Sequence, residues 1–450
     1  MVKRMKHVKI NFLQSKGKMK PMHAVNNGPV GNGVRGKTGN FEEYQTARIP
    51  FARLHDSAFY SGYGGEWTVD VHRIFCDFSA DETDPNSYDF GPTDQYLQVI
   101  HAAGTKIYYR LGASIEHGKK KGTYPPPDFE KWARICEHII LHYNEGWANG
   151  YRMGVEYWEI WNEPDLRKPD GSSPCWQGTT EEFLSFYEVV AKHLKEHFPA
   201  LKIGGPSIAW LGNGMVEEFL KYGEAHRVPL DFFSFHGYAN DPRWFAKVCR
   251  QGEDLLRKYG YDKTELHVNE WNYIRGWRDE EWKYSLHAEK GLKGSSFVAA
   301  VMCEGQASPV DMLMYYDARP CGMNGIFHTD TLEPLKTYYV IKAFSDLYAL
   351  GEAVEVTDTE NAYACAAKGE AEAAVLLTHY HDDVQTPSEL LKVGINGFSC
   401  ENGIRAEVFV VDEQNDLTLM KEEYFTGDAY ALLLKADLYT TYLIKLYKLS

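Results

Sequence analysis

An α/β chain, built as a parallel (β/α)8 TIM barrel with an accessory antiparallel β-sandwich domain, is the architecture this sequence predicts. Three observations carry it. Eight short apolar runs recur, each followed by polar or glycine-rich residues and then a helical pattern. Such repeated strand–helix alternation implies parallel strands joined by crossover helices. After about Gly351 the alternation stops, and strand-like runs follow one another across turn signals. The chain has 450 residues, well beyond the roughly 250 that a bare barrel needs.

The expected barrel strands are, in order, His23–Val25, Ile49–Leu54, Lys106–Leu111, Tyr157–Trp161, Leu201–Gly205, Phe232–Phe235, Leu266–Asn269 and Met312–Tyr316. Each is rich in aromatic, aliphatic or β-branched residues, as a buried strand must be. Helices are expected at Thr93–Ala103, Asp128–Tyr143 and Thr180–His197, where apolar residues recur at i, i+3 and i+4. The last of these opens with Thr179-Thr180-Glu181-Glu182, the pattern of an N-terminal cap. Further helices are expected from about Met215 to His226, then at Pro242–Lys258, Ser285–Glu304 and Leu335–Leu350. Beyond them Val354–Val356, Ala373–Leu377, Ala406–Val410, Tyr430–Leu434 and Tyr439–Ile444 read as strands. Turn signals such as His381-Asp382-Asp383 and Asn396-Gly397 separate these runs. The barrel is therefore expected over residues 18–350 and the sandwich over 351–450, joined by a strand from segment 1–17. A structural buttress is the first reading of the sandwich, with a dimer interface or a binding module behind it.

Hydrophobic residues make up 44% of the chain and charged residues 25%, enough to bury a large core. The net charge is −15, and no basic tract exceeds Lys119-Lys120-Lys121. Nucleic acid and anionic membrane are poor partners for such a surface. No apolar run approaches the length of a membrane span. The basic start, Met1 to His7, passes into Val8–Phe12, which alternates like a strand instead of forming the apolar core of an export signal. The eight cysteines are scattered with no C-x-x-C pair, so free thiols in a reducing compartment are expected. A cytoplasmic location follows as the expectation. Homo-oligomerisation stays open.

The chemistry is concentrated where the expected strands end, the face of a barrel that carries function. Tyr157-Trp158-Glu159-Ile160-Trp161-Asn162-Glu163-Pro164-Asp165 runs as a strand into an amide and a carboxyl side by side, with Pro164 ending the ladder. Leu266-His267-Val268-Asn269-Glu270-Trp271-Asn272 delivers a second glutamate from the seventh strand. His55 and Asp56 follow the second strand, Arg110, Glu116 and His117 the third, and His236 and Tyr238 the sixth. Two carboxyls facing each other across a barrel mouth suit glycoside hydrolysis. One protonates the leaving oxygen, while the other attacks the anomeric carbon or activates water. Separation decides the outcome: about 5–5.5 Å for retention and about 6.5–9.5 Å for inversion. Tryptophans beside Glu163 suit a protonated acid. Glu270 as a nucleophile needs hydrogen-bond donors, and Tyr238 is a candidate. Asn162 is placed to bond a sugar 2-hydroxyl, and the 14% aromatic content suits stacking on sugar faces. Glu159 and Glu156 lie before the strand end and are read as structural.

Trp161-Asn162-Glu163-Pro164, the strand-end glutamate in Asn269-Glu270-Trp271 and His236-x-Tyr238 resemble the clan A glycoside hydrolases. Glu156 to Asp165, with Arg53-Leu54-His55-Asp56, is most similar to glycoside hydrolase family 39, the β-xylosidase and α-L-iduronidase family. The resemblance implies a retaining double displacement, with Glu163 as general acid/base and Glu270 as nucleophile. It implies that Asn162 binds the 2-hydroxyl, that Tyr238 holds Glu270, and that His55, His236 and Trp271 line the site of the departing sugar. No metal or organic cofactor is implied. At the end of the eighth strand many clan members carry a tryptophan, whereas this chain has Tyr315-Tyr316-Asp317-Ala318-Arg319. Arg319 there either pairs with Asp317 or meets a uronic acid carboxylate. An exo-acting β-glycosidase on a carbohydrate substrate is expected, β-xyloside first. β-Galactosidase, α-L-arabinopyranosidase and α-L-iduronidase-like activities are alternatives. A non-catalytic carbohydrate-binding barrel and a transglycosidase are the readings from other classes.

Overall fold

The structure, a computed structural model, describes residues 5–31, 39–54, 67–116 and 118–449. Seventeen strands are present among them: β1 (Lys6–Lys18), β2 (Ala24–Asn26), β3 (Phe51–Leu54), β4 (Lys106–Leu111), β5 (Tyr157–Ile160), β6 (Lys202–Ile208), β7 (Phe232–Ala239), β8 (Glu265–Tyr273), β9 (Met312–Tyr315), β10 (Glu352–Thr357), β11 (Ala362–Lys368), β12 (Glu372–His379), β13 (Glu389–Asn396), β14 (Ile404–Val411), β15 (Asp416–Phe425), β16 (Ala429–Ala436) and β17 (Thr441–Lys448). Strands β2 to β9 close a barrel in sequence order, every neighbour parallel. All eight expected barrel strands are these.

The interior of the barrel is layered, because alternate residues of a strand point inward. Ala24, Phe51, Tyr108, Tyr157, Phe232, Met312 and Met314 fill the lower layer. His267 stacks there on Phe232 at 5.0 Å, and Tyr108 on Tyr157 at 5.3 Å. Two positions further along, Asn26, Arg53, Arg110, Glu159, Ser234 and Asn269 form a buried polar layer. An apolar plug below and a polar shelf above thus come from one period-two alternation.

The outer layer holds α1 (Phe41–Ala47), α2 (Val71–Ile74), α3 (Gly91–Ala102), α4 (Phe129–Asn144), α5 (Thr180–His197), α6 (Gly214–His226), α7 (Pro242–Lys258), α8 (Asp279–Ala288), α9 (Leu292–Ala307) and α10 (Lys336–Leu350). The start of α5 is a reciprocal cap: Glu182 N–H donates to Thr179 Oγ1 at 3.1 Å, and Thr179 N–H to Glu182 Oε2 at 2.7 Å. The single helix expected over Ser285–Glu304 is instead two. α8 ends at Ala288, and Gly291 adopts extended backbone before α9 begins.

β1 and β10 to β17 form one nine-stranded sheet, ordered β15-β14-β17-β12-β11-β10-β1-β13-β16. All its pairings are antiparallel except β1 with β13. The sheet folds around its own core, which includes Val8, Ile10, Phe12, Val375, Leu391, Val408, Leu432 and Ile444. Lys421 on one edge strand donates to the Leu433 carbonyl on the other at 3.2 Å, so the sheet nearly closes. Its other side packs on α9 and α10, where Thr378 Oγ1 donates to Ser296 Oγ at 3.1 Å. Asp382, in the turn after β12, accepts hydrogen bonds from Tyr273 at the end of β8 and Asn240 just past β7, at 2.6 and 2.8 Å. All eight cysteines are free, five of them buried. No described helix is long and apolar enough to cross a membrane.

Candidate active site

Glu163 leaves β5 through a tight bend in which Trp161 and Glu163 have φ of +76° and +45°. Such left-handed values in non-glycine residues cost energy and persist where the surroundings enforce them. Here Trp161 N–H donates to Leu111 O at 2.7 Å and Glu163 N–H to Ser207 O at 2.8 Å. The Trp161 indole is wedged against Trp132, Trp176 and Phe186. Glu270 sits in β8 at a register shift, opposite His236 of β7. One oxygen of Glu163, one of Glu270 and one ring nitrogen of His236 all lie within 4.8 Å of one another.

Donors surround Glu270. Arg53 Nη1 reaches Oε1 at 2.9 Å, and Tyr238 Oη reaches Oε2 at 2.9 Å. Burial, with Glu270 and Glu163 alongside, pushes the Tyr238 phenol well above its ordinary range. It therefore stays protonated and donates.

His236 Nδ1 lies 2.9 Å from Glu163 Oε1 and 3.3 Å from Glu270 Oε2. Burial lowers its pKa to about 4, against a smaller opposing effect of Glu270, so the ring is neutral at pH 7. Its tautomer follows from its other neighbour. Ser207 Oγ accepts from Arg53 Nη2 at 2.8 Å and Asn269 Nδ2 at 3.2 Å. With both lone pairs used, its proton goes to His236 Nε2 at 2.7 Å in preference to Asn162 Oδ1 at 3.2 Å. Nδ1 then carries the hydrogen and is shared between the two carboxylates.

Arg53, fully buried, organises the shelf. Its Nε donates to Glu159 at 2.6 Å, Nη1 to Asn26 and Glu270, and Nη2 to Asn162 at 2.6 Å and Ser207. Burial opposes its charge, but Glu159 and Glu270 outweigh that and hold the guanidinium above its ordinary range. Asn162 Oδ1 is taken by Arg53, while its Nδ2 has no partner among the described residues. Glu163 Oε2 meets Cys175 Sγ at 3.7 Å. Asp165 accepts from Ala209 N–H and Asn213 Nδ2 at 2.9 and 3.0 Å, and burial, with Glu163 adding to it, raises its pKa to about 7. On the outer side of Tyr238 an aromatic wall extends toward solvent. Trp277, 57% exposed, meets Tyr238 edge-on at 5.0 Å and stacks on Trp282 at 5.4 Å.

Of the residues singled out by sequence, Glu163, Glu270, Asn162, His236 and Tyr238 come together at this mouth. His55, Asp56 and His117 lie outside the described residues. Trp271 does not reach the mouth. It is fully buried, its indole packed on Phe245, Phe297 and Tyr315, because the register shift turns Glu270 inward and its neighbour outward. Arg110 is also fully buried and donates to Asp70 at 2.8 Å. Glu116 closes its own loop, accepting from Lys121 N–H and Thr123 Oγ1 at 2.8 Å each. Arg319 pairs with Asp317 at 3.2 Å. Sequence reasoning assigned no site role to Arg53, Ser207, Asn269 or Cys175. Arg53 had a signal, a charge at an inward position of an apolar strand; Ser207 and Cys175 had none.

Residues 43–266 match the model of Glycosyl hydrolases family 39. A β-xylosidase of Geobacillus stearothermophilus is 32% identical over 177 residues, a match covering 34% of this chain and 33% of that relative. The match thus spans about a third of the relative's length. Two solved structures cover nearly all of both chains. A glucosidase from Croceicoccus marinus aligns over 99% of this chain and 100% of its own, with a TM-score of 0.79 and 21% identity. A monomeric β-xylosidase from Caulobacter crescentus CB15 aligns over the same shares, with a TM-score of 0.71 and 16% identity. At these identities the likeness is one of fold.

Proposed function

We propose that this chain, a clan A glycoside hydrolase similar to family 39, is a retaining exo-glycosidase that releases a terminal sugar, β-xylose first, from short oligosaccharides or glycosides. The observation that carries this is the close approach of Glu163 and Glu270 oxygens, within 4.8 Å with His236 between them. So close an approach favours the roughly 5–5.5 Å between carboxyls of retaining enzymes over the wider gap of about 6.5–9.5 Å that an inverting water needs.

The roles follow from the surroundings. Glu270, held by Arg53 and Tyr238, is the ionised nucleophile that forms the glycosyl-enzyme. Glu163, with 14% of its side chain exposed against 6% for Glu270, faces the cleft and exchanges protons with the leaving group and then with water. His236, neutral and donating through Nδ1, holds the two carboxyls at working distance without adding a full charge. Asn162 Nδ2 bonds the sugar 2-hydroxyl, a contact that strengthens in the transition state. Trp277 offers a face to the ring beyond the scissile bond. Xylose is preferred because two of the similar proteins are β-xylosidases.

The test is hydrolysis of aryl β-xyloside, β-galactoside, β-glucoside, α-L-arabinopyranoside and α-L-iduronide by wild type, Glu163→Ala and Glu270→Ala. The expected result is that the xyloside leads, that both variants lose at least about 10³-fold in activity, and that azide rescues Glu163→Ala with a β-xylosyl azide product. A variant of either glutamate that keeps full activity would refute the mechanism.

A further inference from the structure

A second cluster of ligating side chains lies away from the barrel mouth, on the outer face where α4 packs against α5. His193 and His197 are one turn apart on α5, their rings 4.3 Å centroid to centroid. Glu137 of α4 reaches across, its Oε2 2.7 Å from His193 Nε2. One donor atom from each of the three lies within 4.8 Å of the others. We propose that Glu137, His193 and His197 form a binding site for a borderline divalent transition-metal cation of the zinc class, which clamps α4 to α5.

The donor chemistry fits. Two imidazoles and one carboxylate leave a fourth position for water, the usual four-coordinate set for zinc. Tetrahedral bonds of about 2.0–2.1 Å put donors about 3.4 Å apart, so the three need only small rotations of partly exposed side chains. The His197 tautomer is already set. Its Nδ1 lies 2.8 Å from the His193 carbonyl oxygen, so Nδ1 carries the hydrogen and Nε2 keeps a free lone pair. Fixing the far nitrogen on a carbonyl is how metal-binding histidines are commonly oriented.

Neighbouring cations do not compete. Lys192 is tied to Glu188 at 2.7 Å, Lys195 to Asp231 at 2.6 Å, and Arg134 to Glu82 at 2.7 Å. His197 is the last residue of α5, where the helix dipole favours positive charge. Helices of a barrel run back against the strands, so this end of α5 lies at the face opposite the mouth. Glu196, inside the His193-Leu194-Lys195-Glu196-His197 run, is exposed, and the cluster lies on the outer helix layer. A metal here holds two helices together and takes no part in hydrolysis.

The test is titration of the chelator-stripped full chain with zinc chloride, followed by calorimetry and thermal melting. Wild type should take up one zinc at this site and melt several degrees higher with it. His197→Ala should weaken uptake at least tenfold, and His193→Ala/His197→Ala should abolish both uptake and the melting shift while keeping metal-free glycosidase activity. Glu163→Gln, which alters the carboxylate–histidine cluster at the mouth, should leave the melting shift intact. A wild type that takes up no zinc, or a double variant that still shows the shift, overturns the proposal.

Discussion

Arg53 is placed to serve both stability and the proposed chemistry. It is fully buried, and its five donors meet Glu159, Asn26, Glu270, Asn162 and Ser207. Arg53→Met removes a donor from the proposed nucleophile, and an activity loss of about 10²–10³-fold is expected, the usual cost of one preorganised donor. It also leaves the buried Glu159 carboxylate without a counter-charge, held only by Ser234 Oγ and Asn269 Nδ2, at a cost of roughly 3–5 kcal/mol. The two effects separate in a double variant. Adding Glu159→Gln to Arg53→Met should recover much of the stability in a denaturant melt and none of the activity. Recovery of both would mean that Arg53 acts only through folding. At the residue scale the structure brings together the two glutamates that the sequence singled out and sets Trp271 apart from them. Glu163 and Glu270 were legible because an ionisable residue at the end of an aromatic strand stands out. Trp271 misled because a register shift, invisible in sequence, reversed which of two neighbours faces the mouth. Ser207 carries the tautomer of His236 yet sits in a Gly-Gly-Pro-Ser run that reads only as a strand ending.

Among elements, the packing of the segment before β2 against α10 yields a prediction about acid stability. His23, just before β2, is buried against Phe344 and Tyr348 of α10, at 5.2 and 5.1 Å. Burial lowers its pKa from 6.5 to about 3. A folded-state pKa below the unfolded one means that this neutral histidine contributes stability above about pH 6.5, lost progressively as pH falls toward 3. Between pH 7 and 4.5 the loss should be on the order of 2–3 kcal/mol. His23→Phe keeps an aromatic ring there without the titration. Denaturant midpoints of the two proteins should diverge as pH falls, and parallel curves would contradict the assignment. Elements with strong patterns were legible: every barrel strand and the capped α5. β11 was not, because its Ala362-Tyr363-Ala364-Cys365-Ala366-Ala367 run has weak strand propensity. Nor was β15, an edge strand with polar residues on both faces. The break between α8 and α9 was hidden by an apolar pattern that continues across Gly291.

Across the whole molecule, the candidate active site lies at one end of the barrel and reinforcement elsewhere. The plug of Phe51, Tyr108, Tyr157 and Phe232 supports the Arg53 shelf, and the shelf supports the two carboxylates. The nine-stranded sheet packs on α9 and α10, and Asp382 bonds the ends of two barrel strands, those that carry His236, Tyr238 and Glu270. These contacts favour a buttressing role for the sheet. The central claim is that Glu270 attacks sugar carbon and forms a covalent glycosyl-enzyme. The most direct measurement is intact-mass spectrometry after incubation with an activated 2-deoxy-2-fluoro-β-xyloside, followed by peptide mapping. The expected result is one added fluoroxylosyl group per chain, located on the peptide containing Glu270 and absent from Glu270→Gln. Rapid turnover of an unfluorinated xyloside with inversion of configuration, or a label on any other residue, would contradict it.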